Sequence, residues 1–157
     1  MSERVYLETS IISYLAARPS RDLVTAARQQ LTHEWWTRRR SAFEICISEL
    51  VAAEAAAGDP DAAERRARLI RDLHSLSISE EAIALARNLV LWAGLPARAA
   101  ADALHISLAA CHGIDYLLTW NSTHLANAEI RPNVERACRD NGYEPPVLCT
   151  PDELMGG

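Results

Sequence analysis

The chain predicts a three-layer α/β/α domain built on a mainly parallel sheet. Short apolar runs of strand length recur at residues 4–8, 43–47, 116–120 and 147–149. Longer stretches with apolar residues at helical spacing separate them. The chain has 157 residues, 49% of them apolar, which suffices for one buried core. Strands alternating with helices place helices on both faces of a parallel sheet. Residues 1–157 therefore read as a single domain, without internal repeat or low-complexity segment.

Each element has a local cause. Residues 4–8 form the first strand. Thr9 or Ser10 caps the following helix, which carries Ile11, Ile12, Tyr14 and Leu15 and ends at Pro19. A second helix spans about 22–39, with Leu23, Ala26, Ala27, Gln30, Leu31 and Trp35 on one face. Residues 43–47 form the second strand, and Ser48 caps a helix through Ala57 that Gly58 closes. Asp59 or Asp61 starts a helix through about Leu73. A short strand at 76–78 follows, and Ser79 caps a helix through Ala93 that Gly94 and Pro96 break. The next helix spans about 99–111 and ends at Gly113. The fourth strand is 116–120, followed by a short helix near Leu125, a helix over about 132–139, a strand at 147–149 and a turn at 151–154.

Composition narrows the function. A net charge of −5 argues against nonspecific nucleic-acid binding, yet the positive charge is clumped. Arg38, Arg39 and Arg40 form one run; Arg65, Arg66, Arg68 and Arg71 form another. Either run meets phosphates or an acidic partner, or is a solvated helix surface. Cys46, Cys111, Cys138 and Cys149 show no short paired spacing and read as reduced core residues. The five histidines form no His-x-x-x-His pair, which weighs against a zinc hydrolase. No apolar stretch is long enough to span a bilayer, and no secretion signal opens the chain. No membrane partner is expected, and the cytoplasm is the default compartment.

Three separated acids are placed for one metal site: Glu8 closes the first strand, Glu49 follows the second, and Asp102 stands in an apolar helix. In an open α/β sheet, loops at the carboxyl ends of strands converge on one crevice. Carboxylates gathered there are hard oxygen ligands for Mg²⁺ or Mn²⁺. Without a cation they would raise one another's pKa; with one, the site can activate water and stabilise charge on a phosphoryl oxygen. Asn121 lies just past the fourth strand and joins the set. Ser10, Thr119, Ser122 and Thr123 supply hydroxyls for a ligand acid, a water or a phosphate. Each residue has a plainer reading as well. Glu49 and Asp102 favour helix N-termini through the dipole, Asn121 suits a turn, Ser10 caps a helix, and Glu8 suits the surface. His105 follows Asp102 by three residues, shares its helix face, and reads first as packing.

Three segments carry a resemblance. Tyr6-Leu7-Glu8-Thr9-Ser10-Ile11-Ile12 is similar to the opening motif of PIN-domain proteins. Ala101-Asp102-Ala103-Leu104-His105-Ile106-Ser107-Leu108-Ala109 resembles their central acidic helix, and Asp115-Tyr116-Leu117-Leu118-Thr119-Trp120-Asn121 their late strand and polar site. The resemblance implies a three-layer PIN-like fold and an endoribonuclease using Mg²⁺ or Mn²⁺. It also implies a VapC-like toxin of a type II toxin–antitoxin pair, with RNA as substrate, a cognate antitoxin as partner and often a homodimer.

By position, the family's acids fall on Glu8, Glu49 and Asp102, its fourth acidic place on Asn121, and its hydroxyls on Ser10 and Thr119. Two departures stand out. The first acid is usually aspartate, and Glu8 reaches about 1.5 Å further. Asn121 brings an amide oxygen without charge, which favours one metal over two. These departures also keep open a catalytically weak or inactive RNA-binding or interaction module. The Trp35-Trp36 pair and the helix at 99–111 offer apolar surface for a dimer, or belong to the core.

Overall fold

The computed structural model describes residues 2–156. Five strands form one all-parallel sheet: β1 (Glu3–Leu7), β2 (Phe43–Ser48), β3 (His74–Leu76), β4 (Tyr116–Leu118) and β5 (Val147–Cys149), in the order β3-β2-β1-β4-β5. The chain therefore walks outward from β1 to β3, then returns to β1's other edge. Right-handed crossovers oblige such a reversal to switch faces. Helices α1 (Thr9–Ala16), α2 (Leu23–Arg39), α3 (Glu49–Ala55) and α4 (Pro60–Ile70) accordingly form one layer. Helices α5 (Glu80–Trp92), α6 (Ala100–Cys111) and α7 (Arg131–Asp140) form the other. The architecture is a three-layer α/β/α sandwich.

The helices begin where the sequence supplies an oxygen. Asp22, Ser48, Asp59 and Ser79 accept the backbone N–H of Thr25, Val51, Ala62 and Ala82 respectively. Helix α1 is different. Its cap position is Glu8, whose side chain makes no capping bond, because that carboxylate is turned toward the neighbouring hydroxyls of Ser10 and Thr119.

The central strands are buried on both faces, as a parallel sheet demands: Val5, Tyr6 and Leu7 of β1 and Leu117 and Leu118 of β4 are wholly enclosed. Trp35 is enclosed too and stacks on Phe43 at 6.0 Å. Helix α6 buries Ala103, Ile106, Leu108, Ala109 and Ala110. Trp35 and most of α6 are thus core rather than a free dimer face. Exposed apolar side chains lie instead on α5, at Leu91 and Trp92, and at the start of α2, at Leu23 and Val24.

Three further expectations change. The segment around Leu125 is a chain of turns, not a helix, pinned by the Asn121 carbonyl accepting from Ala126 N at 2.7 Å. Strand β3 sits two residues earlier than residues 76–78, where His74, Ser75 and Leu76 pair with Cys46, Ile47 and Ser48. The arginine runs have structural partners. Arg65 donates to Ala16 O, and Arg66 donates to Ala55 O and Ala57 O, so both fill carbonyls at helix ends. Arg39 donates to Leu154 O, Arg40 lies over Trp36, and Arg68 pairs with Glu64.

All four cysteines are free. Burial pushes the Cys46 thiol up to about 11 and those of Cys138 and Cys149 to about 12. No described helix is long and apolar enough to cross a membrane.

Candidate metal centre

The strand order fixes where a site can form. The chain leaves β1 on one side for β2 and arrives on the other at β4, so the carboxyl ends of β1 and β4 flank a crevice. Glu8 follows β1 there, and its N–H donates to Leu118 O of β4 at 3.0 Å. Thr119 follows β4, with its N–H held by Cys149 O of β5. Backbone pairing thus places the Glu8 carboxylate against the Thr119 hydroxyl.

Glu8 is 7% exposed. Its Oε1 accepts two hydroxyls, Ser10 Oγ at 2.5 Å and Thr119 Oγ1 at 2.6 Å. Those hydroxyls are fixed in turn, accepting from Trp120 N and Asn121 N at 2.9 Å each. The pair expected at Ser10 and Thr119 is therefore brought together on Glu8. No cationic side chain pairs with that buried carboxylate among the described residues. A buried carboxylate without a cation carries a large desolvation cost.

The acid of α3 that lies beside Glu8 is Glu54, which the sequence analysis did not single out. Ligand atoms of Glu8, Glu54 and His105 lie within 4.8 Å of one another. Glu49 is exposed, and its Oε1 accepts Ile78 N at 2.9 Å beyond β3. Helical geometry accounts for the difference: five residues turn about 140° around an α-helix, so Glu49 and Glu54 leave α3 on different sides. Glu54 belongs to the inward face, three residues after buried Val51 and beside buried Ala55. The signal was present in the sequence, since Glu54 is the sole acid in the apolar run 50–57.

Glu54 is held as Glu8 is, through one oxygen. Its Oε1 accepts Thr9 Oγ1 at 2.5 Å and His105 Nε2 at 2.7 Å. Burial pushes this carboxyl up, but the His105 and Thr9 hydrogen bonds with the nearby imidazole outweigh it, and the net direction is down. The ionised carboxylate can only accept, so Nε2 of His105 carries the proton.

In the neutral ring Nδ1 then accepts, which requires Tyr6 to donate across their 2.6 Å contact. Ser48 Oγ lies 2.7 Å from the Tyr6 oxygen and donates to it, while itself accepting Val51 N. Burial raises the Tyr6 phenol well above its usual range; Ser48 opposes this, and the Glu8 and Glu54 carboxylates reinforce it. The phenol stays a donor. His105, 1% exposed, has both nitrogens engaged and orients Glu54 rather than facing an ion. It is buried, as expected, but also polar and wired.

Asp102 stands one turn before His105 on α6. Its Oδ1 accepts Asn121 Nδ2 at 3.0 Å and its Oδ2 accepts His124 Nδ1 at 2.9 Å, with the side chain 19% exposed. Asn121 also closes a turn, its Oδ1 accepting Thr123 N and His124 N. Its amide oxygen is occupied by the backbone, and its amide nitrogen serves Asp102. Ser122 and Thr123 are exposed on that turn. His124, unforeseen in the sequence, covers Asp102's outer oxygen.

The donor set fits a hard divalent cation. Glu8 and Glu54 each commit Oε1 to the protein, and neither Oε2 meets a donor among the described residues. Two neighbouring carboxylates, each with one uncommitted oxygen and with no cationic side chain on Glu8, suit Mg²⁺ or Mn²⁺. The PIN domain family model matches residues 5–129. No curated protein matches the chain. The match covers most of the chain, which belongs to the PIN-domain family.

Proposed function

We propose that this PIN-domain chain is a metal-dependent endoribonuclease that hydrolyses RNA phosphodiester bonds, acting as the toxin of a toxin–antitoxin pair. One observation carries the reading: a buried carboxylate, Glu8, and a partly buried one, Glu54, bring ligand atoms within 4.8 Å of each other, and each is anchored through one oxygen with the other uncommitted. A divalent ion bound there lowers the pKa of its water and neutralises charge developing on a phosphoryl oxygen.

The chain's own residues do the rest. Glu8 and Glu54 present Oε2. Ser10 and Thr119 fix Glu8, while Thr9 and His105 fix Glu54. Tyr6 and Ser48 hold the imidazole in one tautomer. Asp102 stands beside this pair through Asn121 and orients the attacking water, once His124 yields an oxygen. Such oriented second partners sharpen a metal site. Glu49 is assigned no part in this reading.

A protein partner fits the other helical layer. Exposed Leu91 borders an apolar groove of about 450 Å³ lined also by Ile83, Ala86, Val90 and Leu104. Exposed apolar patches of this kind mark interaction surfaces. They support an antitoxin or a second copy seated on α5 and the start of α6, in place of Trp35. A monomeric mass at micromolar concentration, unchanged on adding a co-expressed partner, would remove this part of the reading.

The nuclease reading is tested with purified protein and single-stranded RNA. Cleavage is expected with Mg²⁺ or Mn²⁺, absent with a chelator, and lost in Glu8→Gln and Asp102→Asn. Equal cleavage by both variants, with contaminating nuclease excluded by a mock purification, refutes it. Binding of RNA without turnover at any metal concentration would favour the inactive module, which the uncharged Asn121 supports.

A further inference from the structure

A half-buried arginine stands near the acidic cluster with no acid to pair. Arg28 of α2 holds its guanidinium 5.4 Å from the centre of the Trp120 ring. Its guanidinium has no hydrogen-bond or ion-pair partner among the described residues. The arginines of the two basic runs are different, since most of them fill helix ends, pair with acids or cover rings at a distance from the crevice.

Trp120 is not an incidental platform. Its indole N–H donates to buried Thr32 Oγ1 at 2.7 Å, and Tyr14 meets its ring edge-on at 6.2 Å. Its backbone N–H donates to Ser10 Oγ, the hydroxyl that donates to Glu8. Tyr14 follows Ser10 by four residues, so it lies one turn along the same face of α1, about 6 Å away. A continuous track therefore leads from Glu8 through Ser10 to the Tyr14–Trp120 pair and on to Arg28.

A ring under a guanidinium offsets part of the cost of holding that charge half-buried, but it leaves the N–H donors unfilled. A planar fork of free donors matches a phosphate. Aromatic rings beside such a charge suit an unpaired base. We infer that Arg28, with Trp120 and Tyr14, binds a phosphate and base of single-stranded RNA adjacent to the phosphate held at Glu8 and Glu54. The inference rests on the nuclease reading and names a subsite for its substrate.

The test uses the full chain with Mn²⁺ and a labelled single-stranded RNA of phosphorothioate linkages, followed by fluorescence anisotropy across a salt series. Arg28→Ala is expected to weaken binding roughly tenfold. It should also lower the slope of log affinity against log salt by about 0.7, one phosphate contact on a single strand. Arg28→Lys should restore the slope and only part of the affinity, because it keeps charge and loses the fork. Mn²⁺ affinity by calorimetry should match wild type in both variants, which shows that Glu8 and Glu54 are undisturbed.

Wild-type affinity and slope in Arg28→Ala overturn the subsite while leaving the nuclease reading intact. Weaker binding at an unchanged slope also overturns it, since it reports only a loosened Trp120. A wild-type protein that neither binds nor cleaves RNA removes the nuclease reading and this inference together.

Discussion

The two halves of the crevice use the same chemistry to different ends. In the inner half, Glu8 and Glu54 are each tied to the protein through Oε1, by hydroxyls and an imidazole, and keep Oε2 open. In the outer half, both oxygens of Asp102 are taken, one by Asn121 and one by His124. The inner acids are thus set in advance for a cation, and Asp102 joins only when a neighbour lets go. The difference shows that the number of oxygens already taken by donors assigns roles among carboxylates. A buried carboxylate with one free oxygen needs a positive partner. One satisfied by donors at both oxygens does not.

Four measurements break or sharpen that contrast. The largest effect is expected for Glu54→Gln, which removes a charge from the inner half: Mn²⁺ affinity by calorimetry should fall at least about a hundredfold, and cleavage with it. Glu49→Gln should leave both within about twofold, since its carboxylate serves only the Ile78 N–H. Equal losses in the two variants would place Glu49 back among the ligands and undo the inner half as described.

Tyr6→Phe comes next. It keeps the ring and deletes the donor to His105 Nδ1, freeing the imidazole to change tautomer. Mn²⁺ affinity should fall about tenfold. Stability in urea should fall by about 1–3 kcal/mol, because buried His105 Nδ1 loses its donor and the Ser48 hydroxyl hydrogen loses its acceptor. Unchanged metal affinity with reduced stability would make the chain of hydroxyls a scaffold feature alone.

His124→Ala is expected to act less than tenfold, and in the opposite sense. It uncovers Asp102 Oδ2, so Mn²⁺ should bind as tightly as before or more tightly. A loss as large as that of Glu54→Gln would merge the two halves into one preset site.

The smallest effect lies outside the crevice and serves as its reference. The Thr25 backbone N–H, and then its hydroxyl, hold the exposed Asp22 carboxyl below its usual range. A depressed folded pKa stabilises the fold above the unfolded carboxylate range, and that contribution disappears as pH falls through the folded value. Asp22→Ala should therefore slightly flatten the acid side of Tm against pH and leave Mn²⁺ affinity unchanged. An altered Mn²⁺ affinity would show that α2 is coupled to the metal centre.

Local reading went furthest where one segment contains its own cause. The caps at Ser48 and Ser79 needed only an oxygen and the N–H three residues on. The meeting of Glu8, Ser10 and Thr119 was legible because two strand ends must converge in this topology. It did not single out Glu54, because a strand-end rule looks to Glu49, which stands first in α3 and accepts the Ile78 N–H, and passes over the inward face one turn on. It failed at residues 121–130 as well, where the Asn121 side chain and carbonyl draw the backbone into turns that apolar spacing cannot reveal.

The sequence alone determined the alternation of strands and helices, the helix starts and the identity of the strand-end acid and its hydroxyls. These depend on period, caps and neighbours a few residues apart. Only the tertiary structure decided which acid of α3 joins Glu8, what His105 does, and that Arg28 lies over Trp120 with no acid beside it. Those outcomes depend on which groups distant in sequence share a dry space, where each donor must find an acceptor and each charge an opposite.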